Sequence, residues 1–286
     1  MQNYTYHSHT NSLGIFDGAD SADKMIGRAE ELGFCEIGIS NHLICHPGLC
    51  EIDKMQAMYF RDYQQAENIY KKAIDDIREA AAKHKIKVYV GFEVDYFNDK
   101  DWLNFFERVR KSLDVDYYIG ASHFIYNNDF SKILKISYLK KRPDLLDEEI
   151  LSSGLTNHWR NLIAAIKSGW FTFMAHIDQI TAKGFCTDTI WDDLKWQIIE
   201  TFASSKTGCE LSTKGLRQTK DFFPATWIVK ELNKRNVPLI ISDDAHSVSQ
   251  LGENFNKAET FLAEINYKNR IKFYVLSLKT LFNLLI

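Results

Sequence analysis

The sequence has no excess of positive charge. Its 286 residues include 35 Lys and Arg against 38 Asp and Glu, for a formal net charge of −3. That balance excludes a duplex-wide nucleic-acid surface and attraction to an anionic membrane, although local basic residues could still hold one phosphate. No apolar run approaches the roughly 20 residues that span a bilayer, so no membrane segment is expected. Residues 1–10, MQNYTYHSHT, have neither a basic start nor an apolar stretch. No export signal is therefore expected. Cysteine is sparse, with five residues at scattered positions (Cys35, Cys45, Cys50, Cys186 and Cys209). An odd, scattered set without an export signal reads as reduced thiols in the cytoplasm. Cys45-His46 and Cys50 fit no common structural zinc spacing, and no second pair follows. There is no Gly/Ser-rich linker, low-complexity tract or internal repeat. A single domain over residues 1–286 is expected, which α/β barrels can reach as one unit.

What is present is alternation. Hydrophobic residues make up 45% of the chain, enough for a full core. Helical spacing runs over 21–32, with Ser21 as cap and Gly33 as terminator. It recurs over 55–84, 99–112, 147–168, 189–205, from Pro224 to about 236, and near 252–265. Strand-like segments lie between, at 4–7, 34–40, 87–92, 115–121, 170–175, 208–211 and 237–241. A last strand is expected near 272–276, before a short C-terminal helix. Residues 124–145, rich in Lys and Asn, read as an inserted loop near a site. Strands alternating with helices imply a parallel α/β sheet, and seven or eight such units imply a closed or nearly closed barrel. In that fold, chemistry sits where the strands end.

Metal-ligand residues recur at those strand ends. They are His7 and His9, His42, Glu93, His123, His176, and Asp244 with His246, with Asp17 close by in sequence. Imidazole and carboxylate together bind zinc, manganese or iron. His7 and His9 are one residue apart, so on a strand both point the same way and can grip one ion. Asp244 and His246 repeat that spacing. Glu93 interrupts an apolar strand, where an unpaired charge is costly. Its two oxygens could bridge two ions. Asp17 in FDGAD also fits ordinary turn chemistry. Asp243 competes with Asp244, and the D-x-H spacing favours Asp244. His46, His84 and His158 read as ordinary surface or core histidines.

The ordered motifs HSHT with FDG, SNH at 40–42, Glu93, SHF at 122–124, AHID at 175–178 and DAH at 244–246 resemble the PHP (polymerase and histidinol phosphatase) family over nearly the whole chain. The resemblance implies a distorted (β/α)7 TIM-like barrel with its metal site at the C-terminal ends of the strands. It also implies three ions. His7, His9, Glu93 and Asp244 would hold the first, Glu93, His123 and His176 the second, and Asp17, His42 and His246 the third. ELSTKGLR at 210–217 and DYYIGASHF at 116–124 are similar to the histidinol-phosphate phosphatase branch. Ser212 stands where that branch usually has Asn, and Ala121 where it has Ser.

The expected function is a metal-dependent phosphomonoesterase with two to three divalent ions (Zn, Mn or Fe) and a small phosphate ester as substrate. By the resemblance that substrate is L-histidinol phosphate, in histidine biosynthesis. A metal-bridging hydroxide would attack phosphorus, because bound ions neutralise the phosphate and lower the pKa of water from ~15.7 to about 7. Arg160 and Arg217 are candidates to clamp the phosphate oxygens. Asp244 and His246 are candidates to protonate the leaving group. Two alternatives remain: a phosphodiesterase on nucleotides or another small ester, and a metal-binding protein without turnover. Nine ligands exceed the four of a usual closed structural site, which counts against the last.

Overall fold

The computed structural model describes residues 2–49, 57–141, 143–148 and 150–273. In chain order the elements are β1 (Tyr4–Thr5), α1 (Ala22–Glu31), β2 (Glu36–Cys45), β3 (Tyr59–Phe60), α2 (Tyr63–Ala81), β4 (Lys87–Asp95), α3 (Lys100–Ser112), β5 (Tyr117–Ala121), β6 (Phe124–Tyr126), β7 (Ile133–Lys135), α4 (Leu155–Ser168), β8 (Phe173–Met174), α5 (Gln179–Ala182), α6 (Asp192–Ala203), β9 (Gly208–Ser212), α7 (Lys214–Gln218), α8 (Thr226–Lys234), β10 (Leu239–Ser242) and α9 (Phe255–Glu264). Seven strands pair in parallel in the order β1-β2-β4-β5-β8-β9-β10. Past the ends of β1 and β10, Ser8 bridges Ala245, and the His9 amide donates to the Ala245 carbonyl at 2.8 Å. These contacts nearly close the sheet into a barrel, as the alternation of patterns predicts. No helix among the described residues is long and apolar enough to cross a membrane.

Local chemistry explains the outer helices. Ser21 caps α1, and that helix buries Ala22, Met25, Ile26 and Ala29 at helical spacing. Asp62 caps α2, and Asp99 caps α3 through the Trp102 amide at 2.9 Å. Gly169, at φ 65°, ends α4 in the left-handed conformation that costs glycine least. The inner strands β2 and β4 are buried almost throughout, as strands covered on both faces must be.

Strand period then builds the barrel interior. Tyr89, Gly91 and Glu93 share one face of β4, and Gly38, Ser40 and His42 share one face of β2. Toward the strand starts, this interior packs Tyr4, Tyr6, Tyr89, Tyr117 and Phe173 into one buried cluster. The Tyr117 hydroxyl donates to the Tyr6 carbonyl at 2.6 Å. A β-carbon at Gly91 would lie 2.6 Å from the Tyr117 ring, and one at Gly38 would lie 2.8 Å from the Tyr6 Cα. Glycine at these two positions makes room for the aromatic floor, and the polar residues lie above it at the strand ends.

Some expectations need correction. The helix expected over 55–84 starts at Tyr63, because Asp62 caps it there. Tyr59–Phe60 instead pairs with Ile44–Cys45 as a strand. The loop expected over 124–145 contains the antiparallel hairpin β6–β7 and two 3-10 turns. A π-helical turn, Ile150–Gly154, precedes α4. Pro224 lies ahead of α8 rather than in its first turn, since the helix begins at Thr226. Of the strand expected near 272–276, Lys272 and Phe273 are not in a strand. The rest of it lies outside the described residues, as does the expected C-terminal helix.

Candidate metal centre

Each candidate ligand follows from its place on the barrel. His7 and His9 leave β1 with Ser8 between them, whose hydroxyl donates to the Gly38 carbonyl at 2.7 Å. His42 and Glu93 are direct register partners on β2 and β4. His123 follows β5, His176 follows β8, and Asp244 and His246 follow β10. Asp17 comes from the loop between β1 and α1. The backbone turns sharply at two of these positions, with φ 25° at His176 and 46° at Asp244.

Glu93 sits at the centre and is fully buried. Its Oε1 lies 2.9 Å from His176 Nε2 and 3.6 Å from His123 Nε2. Its Oε2 lies 3.0 Å from His42 Nδ1, 3.4 Å from His7 Nε2 and 3.5 Å from His9 Nε2. Asp244 Oδ1 lies 3.2 Å from His9 Nε2. Asp17 Oδ2 is 3.4 Å from both His42 Nε2 and His246 Nε2. Ligand atoms within 4.8 Å of one another form four overlapping groups: His9, Asp17, His42 and His246; His7, His176 and Asp244; His7, His9 and Glu93; and His42, Glu93 and His123. All nine sequence candidates therefore converge. The groups overlap more than the three expected sets, with His42 reaching both Glu93 and Asp17.

The donor chemistry fits divalent ions. Buried and without a hydrogen-bond partner are His7 Nε2, His9 Nε2, His176 Nε2, both Glu93 oxygens and Asp244 Oδ1. Buried polar atoms are ordinarily paired, and a group of them converging on one point suits a cation. Three imidazoles are also held in the tautomer a metal needs. Glu210 Oε1 accepts from His7 Nδ1 at 2.5 Å, Asp95 Oδ2 from His123 Nδ1 at 3.0 Å, and the Asp244 carbonyl from His246 Nδ1 at 3.1 Å. Each bond leaves the Nε2 lone pair facing the cluster.

The electrostatics divide the imidazoles. Burial opposes charge on His42, but Asp17 and Glu93 outweigh it and push its pKa up to about 10. Burial also opposes charge on His7, yet Glu210, Asp244 and Glu93 hold its pKa well above the ordinary value. For His9, burial and the neighbouring His246 and His42 bring the pKa down to about 3. Against the cost of burial, His7, His123 and His42 hold Glu93 well below the usual carboxylate range. The buried carboxylates thus favour positive charge in this site, and bound ions would compete with protons for it.

A cavity of about 170 Å³ opens beside the cluster, against Asp17, His42, His123 and His246. Its other walls include Lys135, Lys183 and Lys214. Lys214 Nζ is 2.5 Å from Asp244 Oδ2. The two candidate arginines are placed elsewhere. Arg160 is exposed on α4. Arg217 donates to the Asp243 carbonyl at 2.6 Å and the Asp244 carbonyl at 3.2 Å, and it pairs with Glu253 at 3.2 Å. Its rigid fork is spent bracing the turn that presents Asp244, and neither arginine lines the cavity. Reading the sequence alone missed Glu210, Asp95, Lys214 and Lys183. Glu210 could have been found by the signal that marked Glu93, a charge inside an apolar strand.

A family model described as "PHP domain" matches residues 5–214. A protein of Deinococcus radiodurans named "Probable histidinol-phosphatase" is 24% identical over 177 residues, covering 61% of this chain and 63% of that protein. The match thus spans less than two thirds of that relative's length. A crystal structure from Listeria monocytogenes, assigned as a histidinol phosphatase, superposes with a TM-score of 0.69 at 18% identity, over 89% of this chain and 99% of that one. The histidinol phosphate phosphatase of Lactococcus lactis, solved with zinc, L-histidinol and phosphate, superposes with a TM-score of 0.62 at 15% identity, over 94% of this chain and 95% of that one. At these identities the two structures establish the shared barrel fold.

Proposed function

The chain belongs to the PHP domain family, and from that membership we propose that it is a metal-dependent phosphomonoesterase. The observation that carries this reading is Glu93, a fully buried carboxylate with five imidazoles within 3.6 Å and a cavity alongside. A site meant only for structure closes over one ion with four ligands. Here nine ligands leave an open side against the cavity.

In this reading two to three ions of zinc, manganese or iron are held by His7, His9, Glu93 and Asp244, by Glu93, His123 and His176, and by Asp17, His42 and His246. Such ions neutralise phosphate oxygens and lower the pKa of a water from ~15.7 to about 7. The chain supplies the rest. Lys214, part-buried against Asp244, is the protein's own cation at the phosphate, in the role first expected of Arg160 and Arg217. Water adds to phosphorus, the ester P–O bond breaks, and a proton passes to the departing alkoxide to give an alcohol and inorganic phosphate. Asp244 and His246 are the groups assigned to that proton.

The relatives' names make L-histidinol phosphate the first substrate to test. The full chain, loaded in turn with Mn²⁺, Zn²⁺ or Fe²⁺, is offered L-histidinol phosphate, p-nitrophenyl phosphate, bis(p-nitrophenyl) phosphate and a short oligonucleotide. Metal-dependent release of phosphate from monoesters supports the reading. Cleavage of the diesters alone, or no turnover with any metal, overturns it.

A further inference from the structure

Lysines line the cavity beside the ligand cluster. Lys135 comes from β7, Lys183 follows α5 and Lys214 opens α7, so three separate elements bring lysines to one small space, although the Lys135 ammonium donates to the Tyr59 hydroxyl. Among the described residues lining it, Asp17 is the one carboxylate, and it faces His42 and His246 at 3.4 Å each. Lys214 is turned inward onto Asp244. Lys183 lies further out, where its Nζ donates to Gln218 Oε1 at 3.1 Å. A fourth lysine stands behind it, since Lys140 Nζ is 3.0 Å from where a β-carbon on Gly184 would lie.

Lys214 has Asp244 as its counter-charge, whereas Lys183 donates only to the neutral Gln218, so the like charges near Lys183 are a cost unless an anion joins them. Lys183 registers that cost. Burial, then the charges of Lys214, Lys140 and Lys141, lower its pKa. Phosphate on the ion cluster and Lys214 would satisfy the inner part of the cavity and leave Lys183 unmatched. L-histidinol, which carries an ammonium group, would place a cation against this wall.

We propose that Lys183, with Gln218 beside it, forms an anion subsite for the leaving portion of the ester, so that the preferred substrate carries a second anionic group, a carboxylate or another phosphate. The proposal rests on the phosphomonoesterase reading above and departs from the relatives on the leaving group. Gln218 adds an amide donor to the lysines' point charges, a combination that suits carboxylate or phosphate oxygens.

A matched series tests it. The full Mn²⁺-loaded chain is assayed on 3-phosphoglycerate, glycerol 3-phosphate and L-histidinol phosphate, whose leaving groups are anionic, neutral and cationic. The expected kcat/KM ratio of 3-phosphoglycerate to glycerol 3-phosphate is about tenfold or more, the size of one hydrogen bond to a charged group. In Lys183→Gln that ratio falls toward one, mainly through KM for 3-phosphoglycerate, and Lys183→Arg keeps most of it. Lys183 is half-buried, and circular dichroism checks that both variants fold. Binding of 3-phosphoglycerate to the Ca²⁺-loaded chain by calorimetry, weakened in Lys183→Gln, gives a readout without turnover. Preference for L-histidinol phosphate, or a ratio untouched by Lys183→Gln, overturns the subsite and leaves the phosphatase reading standing. Failure to hydrolyse any monoester overturns both.

Discussion

Replacing Glu210 with Gln should loosen the metal centre without touching a ligand. Glu210 is fully buried on β9, and its two oxygens meet three donors. Oε1 accepts from His7 Nδ1 at 2.5 Å and from the Ser242 hydroxyl, and Oε2 accepts from the His176 amide at 2.9 Å. One carboxylate thus fixes the ring of one candidate ligand and the backbone of another. A carboxamide keeps the shape but turns one acceptor into an NH₂ group, which must then face a donor. The charge-assisted bond to His7 is worth about 1.5–3 kcal/mol, and the misplaced NH₂ adds a desolvation cost of similar size. Loss of such a carboxylate behind a metal-binding histidine typically weakens metal affinity by about 10–100-fold. The measurement is competition with a chelator of known affinity, followed by elemental analysis of ions retained per chain, with thermal melts of the metal-free proteins run alongside. Ser242→Ala removes one donor and leaves the carboxylate, so it should shift affinity far less. If Glu210→Gln holds manganese or zinc as tightly as the parent, the positioning argument is wrong.

The other predictions address separate parts of the structure. Glu93→Ala should lose at least one bound ion and nearly all activity, and full metal content by elemental analysis would remove Glu93 from its bridging role. Gly38→Ala should destabilise the fold by about 1–3 kcal/mol in denaturant titration, because the new methyl meets the Tyr6 backbone on one side and Tyr117 on the other. An unchanged midpoint would show that the aromatic floor can yield. His158 is fully buried, and burial, with the nearby charges of His123 and His176, brings its pKa down to about 4. The unfolded chain therefore takes up this proton near 6.5 and the folded chain only near 4, so stability falls as pH drops through that window and levels off below it. The gap corresponds to about 3 kcal/mol at pH 4 and below. His158→Asn should gain on the parent by that amount between pH 7 and 4, and parallel stability curves would refute the assignment.

The parts of the fold that could be read from the sequence were those set by local pattern. α1 is capped by Ser21 and stopped by Gly33, where spacing placed it, because the chemistry of both ends lies within the helix's own segment. β3 was not legible. Two residues, Tyr59–Phe60, form a strand only because Ile44 and Cys45 at the end of β2 offer them an edge, and a two-residue strand carries no pattern of its own. The hairpin β6–β7 was missed for a related reason. Phe124–Tyr126 and Ile133–Lys135 are each three residues long, too short for alternation to show against the Lys- and Asn-rich background.

The site divides along the same line. Ligands were legible because histidines and carboxylates recur together at the ends of several strands, which one residue alone would not have shown. What holds and surrounds them is defined by partnership instead. Arg217 was a reasonable phosphate candidate as an isolated side chain, but the Asp243 and Asp244 carbonyls claim it, since the turn after β10 exposes backbone acceptors that no motif displays. Lys214 and Lys183 look like ordinary surface lysines in sequence, and only the barrel's curvature brings them to a common wall with Lys135. Ligand motifs therefore indicate which chemistry a PHP chain is equipped for. In the reading proposed above, the lysines beside those ligands select the ester, and they come from β7, the end of α5 and the start of α7, the segments least legible from sequence.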